Sequence, residues 1–298
     1  MRTKLCLGTA QFGMNYGITN KMGRPKDNQI DLIIESALNN NIFYFDTANA
    51  YGNSEIILGN KLINNQDIKF ITKFNSGVEN SFTEEDINKL EKNFEKTLKR
   101  LKTNNIDSFL MHDPNDMKKN NNHLLINWLH ELKSQGKINR VGISIYEESD
   151  IESIPLNEIE VIQMPVSIYD QRLLKDSFID KLLEKNISIH IRSIFLQGLL
   201  LQVSKKWPKH INKSFLNHHI FYEKELFSKN ISFMDSAISF IKGLNFAELV
   251  LFGVTSISEF TAINESWNCK KNIINKLDFK LFKWDIEEDI DPRKWKCK

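Results

Sequence analysis

Four side chains in this chain, Asp46, Tyr51, Lys73 and His112, are of the types that together move a proton to or from oxygen. A phenol is a reluctant acid or base near neutral pH, and an ammonium beside it stabilises the phenolate. Lys73 can do this for Tyr51. Taking an ammonium out of water is costly unless it is paired, and Asp46 supplies the counter-charge. His112 can donate a hydrogen bond to an oxygen that becomes negative during reaction at a carbonyl. Taken singly, each residue has a plainer use: an Asp after a strand caps a turn, a Tyr beside a glycine anchors a loop, a Lys is a solvated charge and a His is a hydrogen-bonded structural residue. Chemistry is indicated by joint position, because the four fall at or just beyond the ends of three consecutive apolar runs.

Those runs belong to a repeated pattern. Strand-like segments at residues 5–7, 42–46, 68–73, 106–112, 140–145, 161–163, 187–191 and 248–252 are followed by amphipathic stretches at 31–40, 54–62, 83–101, 124–135, 148–154, 175–185, 231–241 and 258–266. Thr83, with acids behind it, opens the third helix as a cap, and Gly136 stands at the end of the fourth. Eight such units predict an α/β fold, a closed (β/α)8 TIM barrel forming one domain over residues 1–298. An open doubly wound sheet would want a glycine-rich dinucleotide turn after its first strand, and Gly8-Thr-Ala-Gln-Phe-Gly13 is not one. In a barrel the C-terminal strand ends share one mouth. The second presents Asp46 and Tyr51, the third Lys73 and the fourth His112. Residues 199–230, with Trp207, His210, His218, His219 and Tyr222, read as a long loop of the lid or substrate-wall kind. The tail carrying Trp284 and Trp295 either covers a barrel mouth or packs on the outside.

Composition sets the surroundings. With 41% hydrophobic and 26% charged residues the chain can bury one large core. Lys+Arg 40 against Asp+Glu 38 leaves a formal charge of +2, too balanced for a protein built to grip nucleic acid or an acidic membrane surface. Cys6, Cys269 and Cys297 form neither a CxxC pair nor an even framework, which favours a reducing, cytoplasmic setting and speaks against a structural zinc. No apolar run approaches a membrane span, and the start is too short in apolar length for an export signal.

The motifs resemble those of the aldo/keto reductase family over nearly the whole length. They run from Leu7-Gly-Thr-Ala-Gln-Phe-Gly through Phe45-Asp-Thr-Ala-Asn-Ala-Tyr-Gly-Asn-Ser-Glu55, Lys73 and His112. They continue with Val141-Gly-Ile-Ser144, Gln163-Met-Pro-Val, Arg192-Ser-Ile-Phe-Leu-Gln-Gly-Leu-Leu200 and Phe252-Gly-Val-Thr-Ser256. The segment around Asp46 and Tyr51 is the most specific. The resemblance implies that Asp46, Tyr51, Lys73 and His112 form the catalytic tetrad, with none substituted. It also implies a nicotinamide cofactor, NADP(H) favoured and NAD(H) the alternative, held in the second half of the barrel without a metal. Ser144 and Gln163 would hold the carboxamide, and the turn carrying Ser193, Phe195 and Gly198 the pyrophosphate. Gly253, Val254, Thr255, Ser256 and Glu259 would lie at the adenosine phosphate end, where a helix N-terminus suits an anion. Gly8 and Thr9 would also touch the cofactor.

Three departures stand out. Arg192 falls where many family members stack an aromatic ring on the nicotinamide, and a cation there would favour the reduced, uncharged form. Ile145 replaces an amide side chain often seen after the serine, and few basic residues lie in 253–264 to read a 2′-phosphate. The combined reading is a monomeric or weakly associating oxidoreductase that reduces a small aldehyde or ketone, with Tyr51 as proton donor. Its rival is a nicotinamide-binding regulatory or sensor protein with slow turnover. A metal-dependent hydrolase built on His112, Asp113 and His190 is disfavoured by strand alternation, which turns His190 away from His112. Loops 11–24, 114–122 and 199–230 shape the substrate pocket, and the opening segment resembles members among surface-sugar biosynthesis enzymes, implying a sugar-derived carbonyl.

Overall fold

The apolar runs become strands buried on both faces, as the staves of a parallel barrel must be. A computed structural model describes residues 3–63, 65–269 and 274–295; Met1, Arg2 and Cys297 lie outside this set. The strands β1 (Lys4–Gly8), β2 (Tyr44–Asp46), β3 (Lys69–Phe74), β4 (Ile106–Met111), β5 (Ile138–Ser144), β6 (Val161–Pro165), β7 (Ser188–Arg192) and β8 (Ala247–Gly253) pair in sequence order. All the pairings are parallel, and β8 closes on β1 with Gly253 opposite Gly8. Cys6, Tyr44, Ile71, Leu110, Val161, Leu249 and Leu251 pack together as the barrel filling, while alternate residues such as Leu7, Phe45, Phe109 and Phe252 join the core beneath the helices.

Around the strands stand α1 (Asp27–Asn39), α2 (Ser54–Leu62), α3 (Glu84–Leu101), α4 (Asn122–Ser134), α5 (Asp176–Glu184), α6 (Lys213–Ser228), α7 (Phe233–Lys242) and α8 (Ile257–Asn268). In α3 the reasons for the helix are plain. Thr83 and Asp86 make a reciprocal capping box, three acids face the positive end of the dipole, and Leu90, Phe94, Thr97 and Leu101 form the buried stripe. None of the described helices is long and apolar enough to cross a membrane.

The expected elements need three corrections. The first helix starts at Asp27, four residues before the predicted 31. The helix predicted over 148–154 is instead a 3₁₀ turn (Glu148–Ile151) followed by a second (Leu156–Glu158). Pro155 bars the helical conformation for Ile154, and Ser153 takes a left-handed φ of 64°. The predicted loop at 199–230 contains α6, whose Asn212 cap accepts from the Ser214 N–H. Its buried face is Phe215, His219, Tyr222 and Leu226, a four-three-four spacing concealed because one member is a histidine. The tail reaches both α6 and the mouth. Trp284 stacks on Phe215 of α6, and farther on Arg293 reaches the ring of Tyr146 at the mouth, 3.4 Å from its centre.

The strand starts close the barrel with charge. Arg140 donates to Glu248 and to Asp107, each at 2.7 Å, and His190 Nε2 lies 3.1 Å from the same Glu248 oxygen. Burial raises the Glu248 carboxyl, but the bonds from His190 and Arg140 and their charges outweigh it and bring it down to about 2. A folded value below the ordinary 4.5 means that this carboxylate stabilises the fold above that pH and stops doing so as the pH falls towards about 2. Glu248→Gln is therefore expected to be less stable than the parent at neutral pH and to lose less stability on acidification through this window. Denaturant titrations showing equal losses for both proteins would remove Glu248 from the acid response.

Candidate active site

At the opposite end of the barrel the four chemistry-bearing side chains meet. Lys73, the fifth residue of β3, points inward with a side chain 1% exposed. Its ammonium donates to both Asp46 oxygens at 2.7 Å and to the Thr47 carbonyl at 3.1 Å, which uses all three of its protons. Gln163 Nε2 adds a bond to Asp46 Oδ2 at 2.8 Å. Burial works against the Lys73 charge; the Asp46 carboxylate and the neighbouring Tyr51 outweigh it and hold the ammonium above the usual lysine range. Its charge also sits over the Tyr51 ring, 5.3 Å from the centre.

Tyr51 owes its place to two glycines. The turn after β2 runs so close to the single helical turn Ala10–Gly13 that a Cβ on Gly13 would lie 1.8 Å from the Tyr51 carbonyl oxygen. Gly52, at a left-handed φ of 53°, would put its Cβ 2.4 Å from the Gly13 oxygen. Behind them Ser54 bonds Thr9 and Thr47, and buried Glu55 takes Thr72 Oγ1 at 2.8 Å and Arg100 Nε at 2.7 Å, tying α2 to β3. His112 stands just past β4, held by its N–H to the Phe74 carbonyl, with its ring edge-on to Tyr51 at 6.3 Å. Burial, then the positive charges of Lys73 and Arg192, lower His112 to about 4, so the imidazole is neutral at pH 7.

A cavity of about 560 Å³ runs from these groups across the β1, β7 and β8 ends to the start of α8. Of the thirteen residues predicted to hold a cofactor, twelve line it. Ser256 does not: it caps α8, accepting from the Glu259 N–H. Thr9 lines the cavity but commits its hydroxyl to the Asp46 carbonyl and Ser54, and Glu259 turns a carboxylate oxygen back onto the Thr255 N–H and hydroxyl. Gly198 lies so close to the first loop that a Cβ would meet Thr19 Oγ1 at 2.1 Å. Ser144, the last residue of β5, is paired in register with Gln163 in the middle of β6. The Gln163 Oε1 is buried on this wall without a protein partner, an acceptor that a carboxamide N–H would satisfy, and the residues thus fit a nicotinamide nucleotide.

The remaining rival geometry does not assemble. His190 faces Glu248 at the closed end, and Asp113 accepts from the Asn115 N–H as the cap of the turn Pro114–Lys118. Tyr16, Gln197 and Lys206 also line the cavity, and they lie in segments that the sequence assigns to the pocket or the cofactor without singling them out. Sequence reasoning missed Tyr146 altogether, although its place directly after β5 and Ile145 was a signal. Gln197 takes a left-handed φ of 51° and bonds Ile18 and Thr19, roofing the cavity from two loops 179 positions apart in sequence.

The family model for the "Aldo/keto reductase family" matches residues 4–278. The chain belongs to the aldo/keto reductase family, a family of oxidoreductases. Among curated relatives, an uncharacterized oxidoreductase, YqkF, of Bacillus subtilis (strain 168) is 30% identical over 189 residues. That match covers 61% of this chain and 60% of the relative. The chain superposes on the holo form of the aldo-keto reductase AKR11C1 from Bacillus halodurans with a TM-score of 0.71 at 21% identity, covering 93% of this chain and 90% of that one. It superposes on the glycerol dehydrogenase AKR11B4 from Gluconobacter oxydans with a TM-score of 0.69 at 20% identity, covering 97% and 92%. These two likenesses are of fold.

The charge around His112 generates a direct test. Its imidazole is expected to titrate near about 4 in NMR of labelled histidines, and Lys73→Met, by removing a positive neighbour, should move that midpoint upward. An unmoved midpoint would assign the depression to burial and Arg192 alone.

Proposed function

We propose that this protein reduces an aldehyde or ketone to the alcohol, with Tyr51 as the proton donor. The observation that carries the reading is the buried Lys73–Asp46 pair beneath the Tyr51 ring, at one end of a cavity whose wall holds the unpartnered Gln163 oxygen. A reduced nicotinamide, when bound, supplies a hydride to the carbonyl carbon. The Tyr51 hydroxyl gives its proton to the carbonyl oxygen, and the Lys73 ammonium stabilises the phenolate left behind. Asp46 keeps Lys73 charged and oriented. Neutral His112 donates its N–H to the same oxygen as negative charge builds there.

Ser144 and Gln163 orient the carboxamide, the turn with Ser193, Phe195 and Gly198 faces the pyrophosphate, and Gly253 to Thr255 with Glu259 face the adenosine end. NADP(H) is the proposed nucleotide on family grounds and NAD(H) its competitor, since residues 253–264 contain no Lys or Arg. The phenols of Tyr16 and Tyr146 on the cavity wall suit a hydroxylated, sugar-derived substrate.

Tyr51→Phe is expected to bind NADPH or NADH as the parent does, by fluorescence titration, and to turn over a carbonyl panel of aldoses and keto sugars about 10²–10⁴-fold more slowly. Undiminished turnover would refute the role of Tyr51. Stoichiometric nucleotide binding by the parent with no reduction of any carbonyl would favour the sensor reading.

A further inference from the structure

The charges on the cavity wall are unequally compensated. Lys73 is matched by Asp46, and Glu259, the other acid on the wall, is turned towards Thr255 at the far end. Arg192, the last residue of β7, has no carboxylate within 4 Å among the described residues. Its guanidinium donates to the Ile145 carbonyl at 3.0 Å and towards Ser193 Oγ at 3.4 Å, and lies over the Tyr146 ring, 4.1 Å from its centre. Both oxygen partners are neutral, so they fix the side chain without cancelling its charge. By contrast Arg293, which reaches the same ring from the tail, is neutralised by Asp291.

Strand register places that charge beside the nicotinamide end. Gln163 lies opposite His190 and Pro165 opposite Arg192, so Arg192 stands one inward position above the level of the unpartnered Gln163 oxygen. Its charge is felt at Lys73 and His112, the groups on the other side of the same space.

We infer that Arg192 makes this protein discriminate between the two redox forms of its nucleotide in binding, holding the reduced form more tightly than the oxidised one. The inference rests on the nicotinamide reading above. The reduced ring is uncharged and the oxidised ring carries one positive charge, so an uncompensated guanidinium repels only the latter. The solution equilibrium of the reaction is untouched. What changes is occupancy: the oxidised nucleotide leaves readily and inhibits weakly, which favours use of the site in the reducing direction.

The test is equilibrium titration of the full chain, by tryptophan fluorescence and calorimetry, with NADPH, NADP⁺, NADH and NAD⁺. ADP-ribose and its 2′-phosphate serve as nucleotides without the ring. Arg192→Met is expected to narrow the reduced-to-oxidised affinity ratio by about tenfold through tighter binding of the oxidised forms, leave ADP-ribose binding unchanged, and be reversed by Arg192→Lys. Arg192→Gln, which keeps a donor for the Ile145 carbonyl, gives the same reading should the methionine variant not fold. An unaltered ratio in a variant that still binds both forms would overturn the inference while leaving the cofactor reading intact. A parent that binds none of the four nucleotides would overturn both.

Discussion

The ion pair between Lys73 and Asp46 is the constraint around which the mouth of the barrel is arranged. An ammonium inside a barrel pays several kcal/mol of desolvation, and only close, well-directed acceptors offset it. Both carboxylate oxygens and the Thr47 carbonyl are those acceptors. They lie within reach because β2 and β3 are neighbours and Asp46 pairs with Ile71, two residues before Lys73. Gln163 then joins from across the barrel. Orienting its amide nitrogen towards Asp46 leaves its oxygen buried without a protein partner, so one buried pair also sets the orientation of that acceptor.

The two barrel ends handle buried charge differently. At the strand starts, Arg140, Asp107, Glu248 and His190 pair every charge with an opposite one or a hydrogen bond, with only His190 Nδ1 in this group left without a partner. At the strand ends the groups are only partly mutually satisfied: Lys73 and Asp46 are, whereas Arg192 and the Gln163 oxygen are held in place by neutral neighbours or by one bond. A buried acceptor without a partner carries a desolvation cost that a bound group can relieve.

Much of this was legible from sequence because the barrel imposes a simple code. Continuous apolar runs became strands, and residues just after them, such as His112, had to emerge at one mouth. The reading failed where tertiary context overrides local pattern. Helix α6 was concealed because His219 looks polar in sequence; in the fold it is buried, its Nδ1 2.5 Å from the Tyr169 hydroxyl and its Nε2 2.7 Å from the Gln202 carbonyl. Burial lowers it to about 4, which keeps it neutral within an aromatic cluster. In the segment at 148–154, Ile151 and Ile154 have a spacing that a helix would share, but Pro155 turns the residue before it away from the helical region and two 3₁₀ turns form instead. Ser256 illustrates a third limit: a motif reading assigns a residue to a site, and only the backbone decides whether its hydroxyl faces the ligand or caps a helix.

Long-range juxtapositions were invisible for a different reason. No spacing rule brings Gln197 onto Ile18 and Thr19, or the tail's Arg293 onto Tyr146. Both contacts depend on how segments distant in sequence lie over the closed barrel, and Gln197 and Tyr146 both line the cavity. The strands fix where Asp46, Lys73, Ser144, Gln163 and Arg192 stand, and loops bring Tyr16, Tyr146 and Gln197 to the same cavity. Arg192 stands where these two layers join. Its backbone belongs to β7 and its position is set by the sheet, but its head group rests on Ile145 and Tyr146 from the loop after β5, two strands away. Replacing either layer would therefore alter the charge beside the cavity, which makes electrostatics at this mouth a property of the assembled barrel and of no single motif.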